Sequence, residues 1–245
     1  MKKVAVVTGG SRGIGRAIAL ALAESGADII LNYRSNEEQA KQVAKLIEQK
    51  GSRAIIVQAD VSKMSEVKNL SDQAFKHFGK VDILVNNAGI VANIPFNKLE
   101  ENQFWNITTN NLGGVFNCCK IFIDGMSTQG WGRIVNISSQ ATKLPVLGSS
   151  GYTPSKSAIE GLSKVLAAEY SKHGVTVNVV SPAIISTDIH KSIPKEIILN
   201  LITKTMIGRL GLPEEVAAIV NFLCSEEASF ITGQHYAVDG GYCCC

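Results

Sequence analysis

Short, nearly continuous apolar runs alternate along this chain with segments whose apolar positions recur every three or four residues. The first pattern is that of a strand buried on both faces, the second that of an amphipathic helix. Residues 3–8 (KVAVVT) form the first run; a glycine-rich stretch and the helical RAIALALAESGA follow, with Gly26 beyond the helix end. Strand-like runs recur at 27–34 (ADIILNYR), 53–60 (RAIIVQAD), 81–89 (VDILVNNAG), 133–138 (RIVNIS), 175–182 (VTVNVVSP) and 235–241 (HYAVDGG). Helical patterning fills 36–51, 62–79, 99–127, 154–173, 188–206 and 213–228, with glycine stops at Gly51 and Gly174.

Strand and helix thus alternate from end to end, with no linker, repeat or low-complexity stretch. Fully apolar strands joined by helical crossovers predict a parallel sheet covered on both faces, its crossovers right-handed. The expected fold is α/β: a single domain over 1–245, a doubly wound parallel sheet of Rossmann type. Composition agrees, with 45% apolar and 18% charged residues filling one core. A net charge of +3, with no clustered basic track, argues against a nucleic-acid partner. No apolar run reaches a membrane span, and the start MKKVAVVTGG breaks too early at Gly9 and Gly10 for a secretory signal; a cytoplasmic protein is expected. The six cysteines lack any CxxC pair or zinc spacing, so no metal site is expected, and the closing Cys243-Cys244-Cys245 reads as a tail of reduced thiols.

Candidate chemistry concentrates where strands end, since ligands of such sheets bind at the carboxyl edge. Gly9, Gly13 and Gly15 lie between the first strand and first helix. There glycine lets a pyrophosphate approach the backbone, and the helix terminus offers unpaired N–H groups. The spacing is GxxxGxG, not the general GxGxxG. The second strand ends Asn32-Tyr33-Arg34-Ser35 with no carboxylate to accept a ribose 2′-OH. Arg34, Ser35 and Arg12 instead offer donors to a 2′-phosphate, which favours NADP over NAD; a solvated loop charge is the other reading of Arg34. Asp60-Val61 ends the third strand, where Asp60 either accepts from an adenine amine or caps the next helix, although Ser62 is better placed to cap. Asn87 and Gly89 permit close backbone approach at the end of the fourth.

The stretch SQATKLPVLGSSGYTPSK (139–156) leads from the fifth strand into a helix. Tyr152 and Lys156, four apart, share a face of a helix begun near Pro154, about 6 Å apart along its axis. A cation at that range lowers a phenol's pKa and fits it for proton transfer to or from an alcohol. Taken alone, YxxxK equally describes a half-buried tyrosine beside a solvated lysine.

Taken together, TGGSRGIG (8–15), DV (60–61), NNAG (86–89), NL (111–112), ISS (137–139), YTPSK (152–156), NVVSP (178–182) and ITGQHYAVDGG (231–241) resemble the short-chain dehydrogenase/reductase family over essentially the whole chain. The resemblance implies that Tyr152 is the catalytic acid/base, Lys156 lowers its pKa and holds the nicotinamide ribose, and Ser139 hydrogen-bonds the substrate oxygen. It implies that Asn111 holds a water in the proton relay, with Asn110 one residue away as the other option. Ser11, Ile14 and Ala88 fall in the matched cofactor motifs, and Pro182, Ile185 (by its backbone) and Thr187 match positions that hold the nicotinamide carboxamide. The cofactor implied is NADP(H). Two positions depart from the pattern: Ala183 replaces the usual glycine, so its methyl is expected to tighten that turn, and Gly151 precedes the tyrosine.

Within the family the chain most resembles the β-ketoacyl-thioester reductases. Residues 123–139, 208–217 and 223–233 are similar to the branch acting on acetoacetyl-CoA for polyhydroxyalkanoate synthesis, and the branch acting on the acyl carrier protein in fatty acid synthesis is the rival. The latter often carries carrier-gripping arginines near Gly130 and His173, which inclines the reading to the CoA ester. Residues 188–206 are expected to form the substrate-side helical segment. A non-catalytic NADP-binding scaffold is the reading from another class, opposed by the intact Asn111, Ser139, Tyr152 and Lys156. Residues 115–123 and 158–170 are apolar on more than one face, which with the resemblance implies a homotetramer.

Overall fold

In the computed structural model, residues 2–144, 146–187 and 195–244 are described. Seven strands hydrogen-bond into one sheet: β1 (Val4–Val7), β2 (Asp28–Tyr33), β3 (Ala54–Gln58), β4 (Ile83–Asn86), β5 (Gly132–Ile137), β6 (Val175–Pro182) and β7 (His235–Val238). Their spatial order is β3-β2-β1-β4-β5-β6-β7, and every pairing is parallel. The order reverses between β1 and β4, the switch point where such sheets open a crevice.

The strand pleat sorts the core into two layers. Ala5, Val7, Ile29, Leu31, Val135 and Val180 face α1 (Gly13–Glu24), α2 (Glu37–Gln49) and α8 (Pro213–Leu223). Their neighbours Val4, Val6, Ile30, Ile134 and Val177 face α3 (Met64–Phe78), α5 (Gly114–Thr128) and α6 (Tyr152–Tyr170). β1, β2 and β4 to β6 are buried at every position, which is why they read as unbroken apolar runs.

Several expected boundaries shift. The helical stretch expected over 99–127 is α4 (Glu101–Thr108), a π-helical turn over Thr109–Gly113, and α5. α6 begins at Tyr152, two residues before Pro154, because Thr153 N–H already donates to Ser149 O at 2.8 Å. Pro154 still lies in the first turn, where its missing N–H costs nothing. Neither Asp60 nor Ser62 is the N-cap of α3; that position is Lys63, with no side-chain cap. Of the expected segment 188–206, Lys195–Thr203 forms α7, and 188–194 lie outside the described residues.

Cys118, Cys119 and Cys224 are buried, and burial pushes the Cys119 and Cys224 thiols up to about 12. Cys243 Sγ donates to Gln140 Oε1 at 2.9 Å, tying the tail to the turn after β5. Among the described residues there is no metal-competent cluster of His, Cys, Asp or Glu, and no helix long and apolar enough to cross a membrane.

Gly174, between α6 and β6, holds φ +77°, and a Cβ there would collide with Gly130 O. Gly174→Ala is therefore expected to destabilise the fold by at least about 1–2 kcal/mol. A urea unfolding curve with an unshifted midpoint would contradict this.

Candidate active site

The carboxyl edge of the sheet carries a cleft of about 530 Å³ that runs from the tip of β2 to the start of α6. Its nucleotide end is shaped by side chains that pin the glycine turn. Asn32 Oδ1 accepts from Gly9 N–H at 3.3 Å, while its Nδ2 donates to Ala59 O at 2.9 Å. Asn87 Nδ2 donates to Thr8 O and Gly9 O, and Thr8 Oγ1 accepts from the Asn87 and Ala88 amides. Gly9 and Gly13 take positive φ, +62° and +52°. A Cβ on Gly15 would stand 2.5 Å from Asn87 Nδ2 and against Gly9 O, so only glycine fits. This hollow, free of side chains and facing the first turn of α1, fits a dinucleotide pyrophosphate.

Ser11, Arg12, Gly13, Ile14 and Gly15 line that end, joined by Arg34, Ser35, Asp60 and Val61. Burial works against ionisation of Asp60, but Ser62 donates to it through N–H (3.0 Å) and Oγ (2.7 Å) and holds its carboxyl below the ordinary range. Pro182, Ala183 and Thr187 close the far wall. Ala183 takes no positive φ, so its methyl carries no backbone strain, and its N–H continues to Val238 O at 3.1 Å. Ile185 is buried, and its side chain packs into the core instead of lining the cleft.

The other end gathers the proton-handling groups. Ser139 ends an extended stretch after β5, and its hydroxyl meets the Tyr152 phenol. Lys156, one turn along α6, sits with Nζ 5.9 Å from the centre of the Tyr152 ring and donates to Ile137 O at 2.8 Å. Asn111, fully buried in the π-turn, accepts from Ile90 N–H at 2.8 Å and donates to Ile90 O and Ser155 Oγ. A Cβ on Gly89 would lie 2.9 Å from Asn111 Oδ1 and 3.6 Å from Lys156 Nζ, so glycine keeps these groups together. Asn110, by contrast, faces outward and meets Arg34. Glu160 fastens the turn after Ser139 onto α6, accepting from Ser138 Oγ at 3.1 Å and Lys143 Nζ at 3.3 Å.

Charge in this pocket departs from expectation. Burial pushes the Tyr152 phenol above its usual value, and the Ser139 hydrogen bond only partly offsets it. Burial also pushes Lys156 down to about 8. With its ammonium drawn to Ile137 O, Lys156 does not lower the phenol in the free protein.

The family model described as enoyl-(acyl carrier protein) reductase matches residues 9–243. A 3-oxoacyl-[acyl-carrier-protein] reductase of Staphylococcus aureus is 38% identical over 241 residues, 98% of each chain. The acetoacetyl-CoA reductase of Cupriavidus necator is 36% identical over 240 residues, again 98% of each. A crystal structure of a putative short-chain alcohol dehydrogenase from Sinorhizobium meliloti superposes with TM-score 0.93 at 32% identity, covering 99% of this chain and 97% of that one. The chain belongs to the short-chain dehydrogenase/reductase family. It is an oxidoreductase acting on a ketone or alcohol group, with a nicotinamide cofactor.

Several residues that shape this reductase cleft escaped sequence reading: Asn32, Glu160, Ile90 and Val91. Asn32 sits inside an apolar run with no motif to mark it, and Glu160 reads as one more polar position on a helix. Gly130 and His173 lie at the amino ends of β5 and β6, the edge opposite the cleft. A cation there would meet a protein partner on that surface and not the acyl group in the cleft.

Lys156 sets a pH dependence. The unfolded chain keeps this proton to the ordinary lysine value of 10.5, whereas the folded chain loses it near 8. Between those values the unfolded state binds more protons, so this group makes stability rise with pH. The raised Tyr152 adds the opposite trend only above its own ordinary value of 10.0. From about pH 8 to pH 10 the melting temperature of the free protein should therefore climb relative to Lys156→Met. A constant difference between the two would contradict the assignment.

Proposed function

We propose that the protein reduces 3-oxoacyl thioesters with NADPH to (R)-3-hydroxyacyl thioesters, with acetoacetyl-CoA as its substrate. The observation that carries this is the meeting of Ser139 and Tyr152 beside the buried Lys156, at the end of a cleft whose opposite end carries Arg34 and no carboxylate at the tip of β2. Ser139 holds the carbonyl oxygen, and the Tyr152 phenol gives it a proton. When bound, the reduced nicotinamide supplies the hydride that the carbonyl carbon takes. A phenol kept protonated by burial is in the form that reduction requires. Lys156 holds the nicotinamide ribose and, with Asn111 and a water it carries, returns the proton to Tyr152. Arg12, Arg34 and Ser35 take the 2′-phosphate, Asp60 the adenine amine, and the Ile185 backbone with Thr187 the carboxamide.

The acyl-carrier-protein ester is the second reading, favoured by the name of the Staphylococcus aureus relative; Gly130 and His173, where carrier-gripping arginines would stand, favour the CoA ester. In either case the working form is a cytoplasmic homotetramer, with α7 (Lys195–Thr203) on the substrate side. The exposed Phe116 on α5 and Val165 on α6 support an interface between copies. A monomer by light scattering, at concentrations where the enzyme turns over, would sink the tetramer.

Initial rates of NADPH oxidation with acetoacetyl-CoA and acetoacetyl-carrier protein decide the substrate. Tyr152→Phe should lower kcat about 10²- to 10⁴-fold while NADPH still binds. A higher kcat/KM for the CoA ester supports the first reading and the reverse supports the second. Turnover of neither, or a fully active Tyr152→Phe, would overturn the proposal.

A further inference from the structure

We propose that Asn110 determines cofactor specificity, by holding the Arg34 guanidinium across the adenosine end of the cleft, where a 2′-phosphate lands. The inference rests on the NADPH reading above. Arg34 follows β2, and its Nη1 donates to Asn110 Oδ1 at 3.1 Å, joining two residues 76 apart in sequence. Asn110 is itself fixed: its Nδ2 donates to Asn106 O at 2.9 Å and to Asn106 Oδ1 at 3.0 Å. Those two bonds use both amide hydrogens and leave the oxygen as the only group that can turn toward the guanidinium. At the other end of the residue, Gln58 Nε2 holds the Arg34 carbonyl at 2.9 Å.

An arginine free in solvent must be ordered when it grips a phosphate, and that ordering weakens binding. Here the ordering is already in place. The acceptor is a neutral amide, which orients the cation without cancelling its charge; a carboxylate at the same place would also repel the incoming phosphate. One N–H is spent on Asn110, and the rest of the guanidinium fork remains for phosphate oxygens. The π-turn makes this possible, since Asn110 looks outward to Arg34 while the adjacent Asn111 is buried against Ser155. NADH has no 2′-phosphate and gains nothing from the arrangement.

The test is equilibrium binding of NADPH and NADH to the full-length protein, followed by nucleotide fluorescence, so it needs no acyl substrate. Asn110→Ala should raise the Kd for NADPH about fivefold to tenfold and leave that for NADH within about twofold. Asn106→Ala should do the same more weakly. Asn110→Asp, of the same size, should weaken NADPH selectively through its charge. In an Arg34→Ala background, Asn110→Ala should add nothing. Equal weakening of both nucleotides, an unchanged NADPH Kd, or additive losses in the double variant would each overturn the inference. A wild type that does not prefer NADPH would overturn the cofactor reading and this inference with it. A wild type that prefers NADPH, with Asn110→Ala unchanged, would overturn this inference alone.

Discussion

A parallel sheet buried on both faces leaves backbone groups without ladder partners where its strands stop, and burial denies them water. The two edges pose opposite demands. At the amino edge, N–H groups need acceptors, and carboxylates answer: Asp82 accepts from Val4 N–H, and Asp28 from Arg53 N–H. At the carboxyl edge, carbonyls need donors, and amide and ammonium groups supply them: Asn32 to Ala59, Asn87 to Thr8, Asn111 to Ile90, Lys156 to Ile137, Gln140 to Ser181. A sheet end finished with donors, beside the open first turn of a helix, already suits an anionic ligand. The chemistry of the cleft thus grows from the same requirement that closes the fold.

This bears on how much could be read from the chain. Strands fully buried at every position announced themselves, and glycines at positive φ or in forbidden contact, such as Gly9 and Gly15, marked the turn that needs them. Tyr152 and Lys156 were legible because helical spacing alone puts them on one face. Asn32 was not: a polar residue within β2 looks like an accident until its partners across β1 and β3 are seen. The same holds for Glu160, whose partners lie 17 and 22 residues upstream. Local spacing reports neighbours along an element, and these contacts join different elements.

The charge of the Tyr152–Lys156 pair was not legible for a related reason. Proximity of a cation to a phenol argues for a lowered pKa, but the sequence does not say how much water either group keeps. In the folded chain both are shut away; desolvation outweighs the Ser139 hydrogen bond for Tyr152 and acts unopposed on Lys156. Burial therefore favours the neutral form of each group, the protonated phenol and the uncharged amine.

The π-turn between α4 and α5 has a further consequence, for insertions and deletions. A turn closed by i→i+5 bonds holds one residue more than the α-helix it interrupts. Deleting a residue from 109–113 would restore a regular helix and rotate α5 relative to α4 by about 100°. The face bearing Cys118, Phe122 and Met126 would swing off the sheet, so the extra residue is kept in place by the core as well as by the cleft. Length here is as constrained as residue identity.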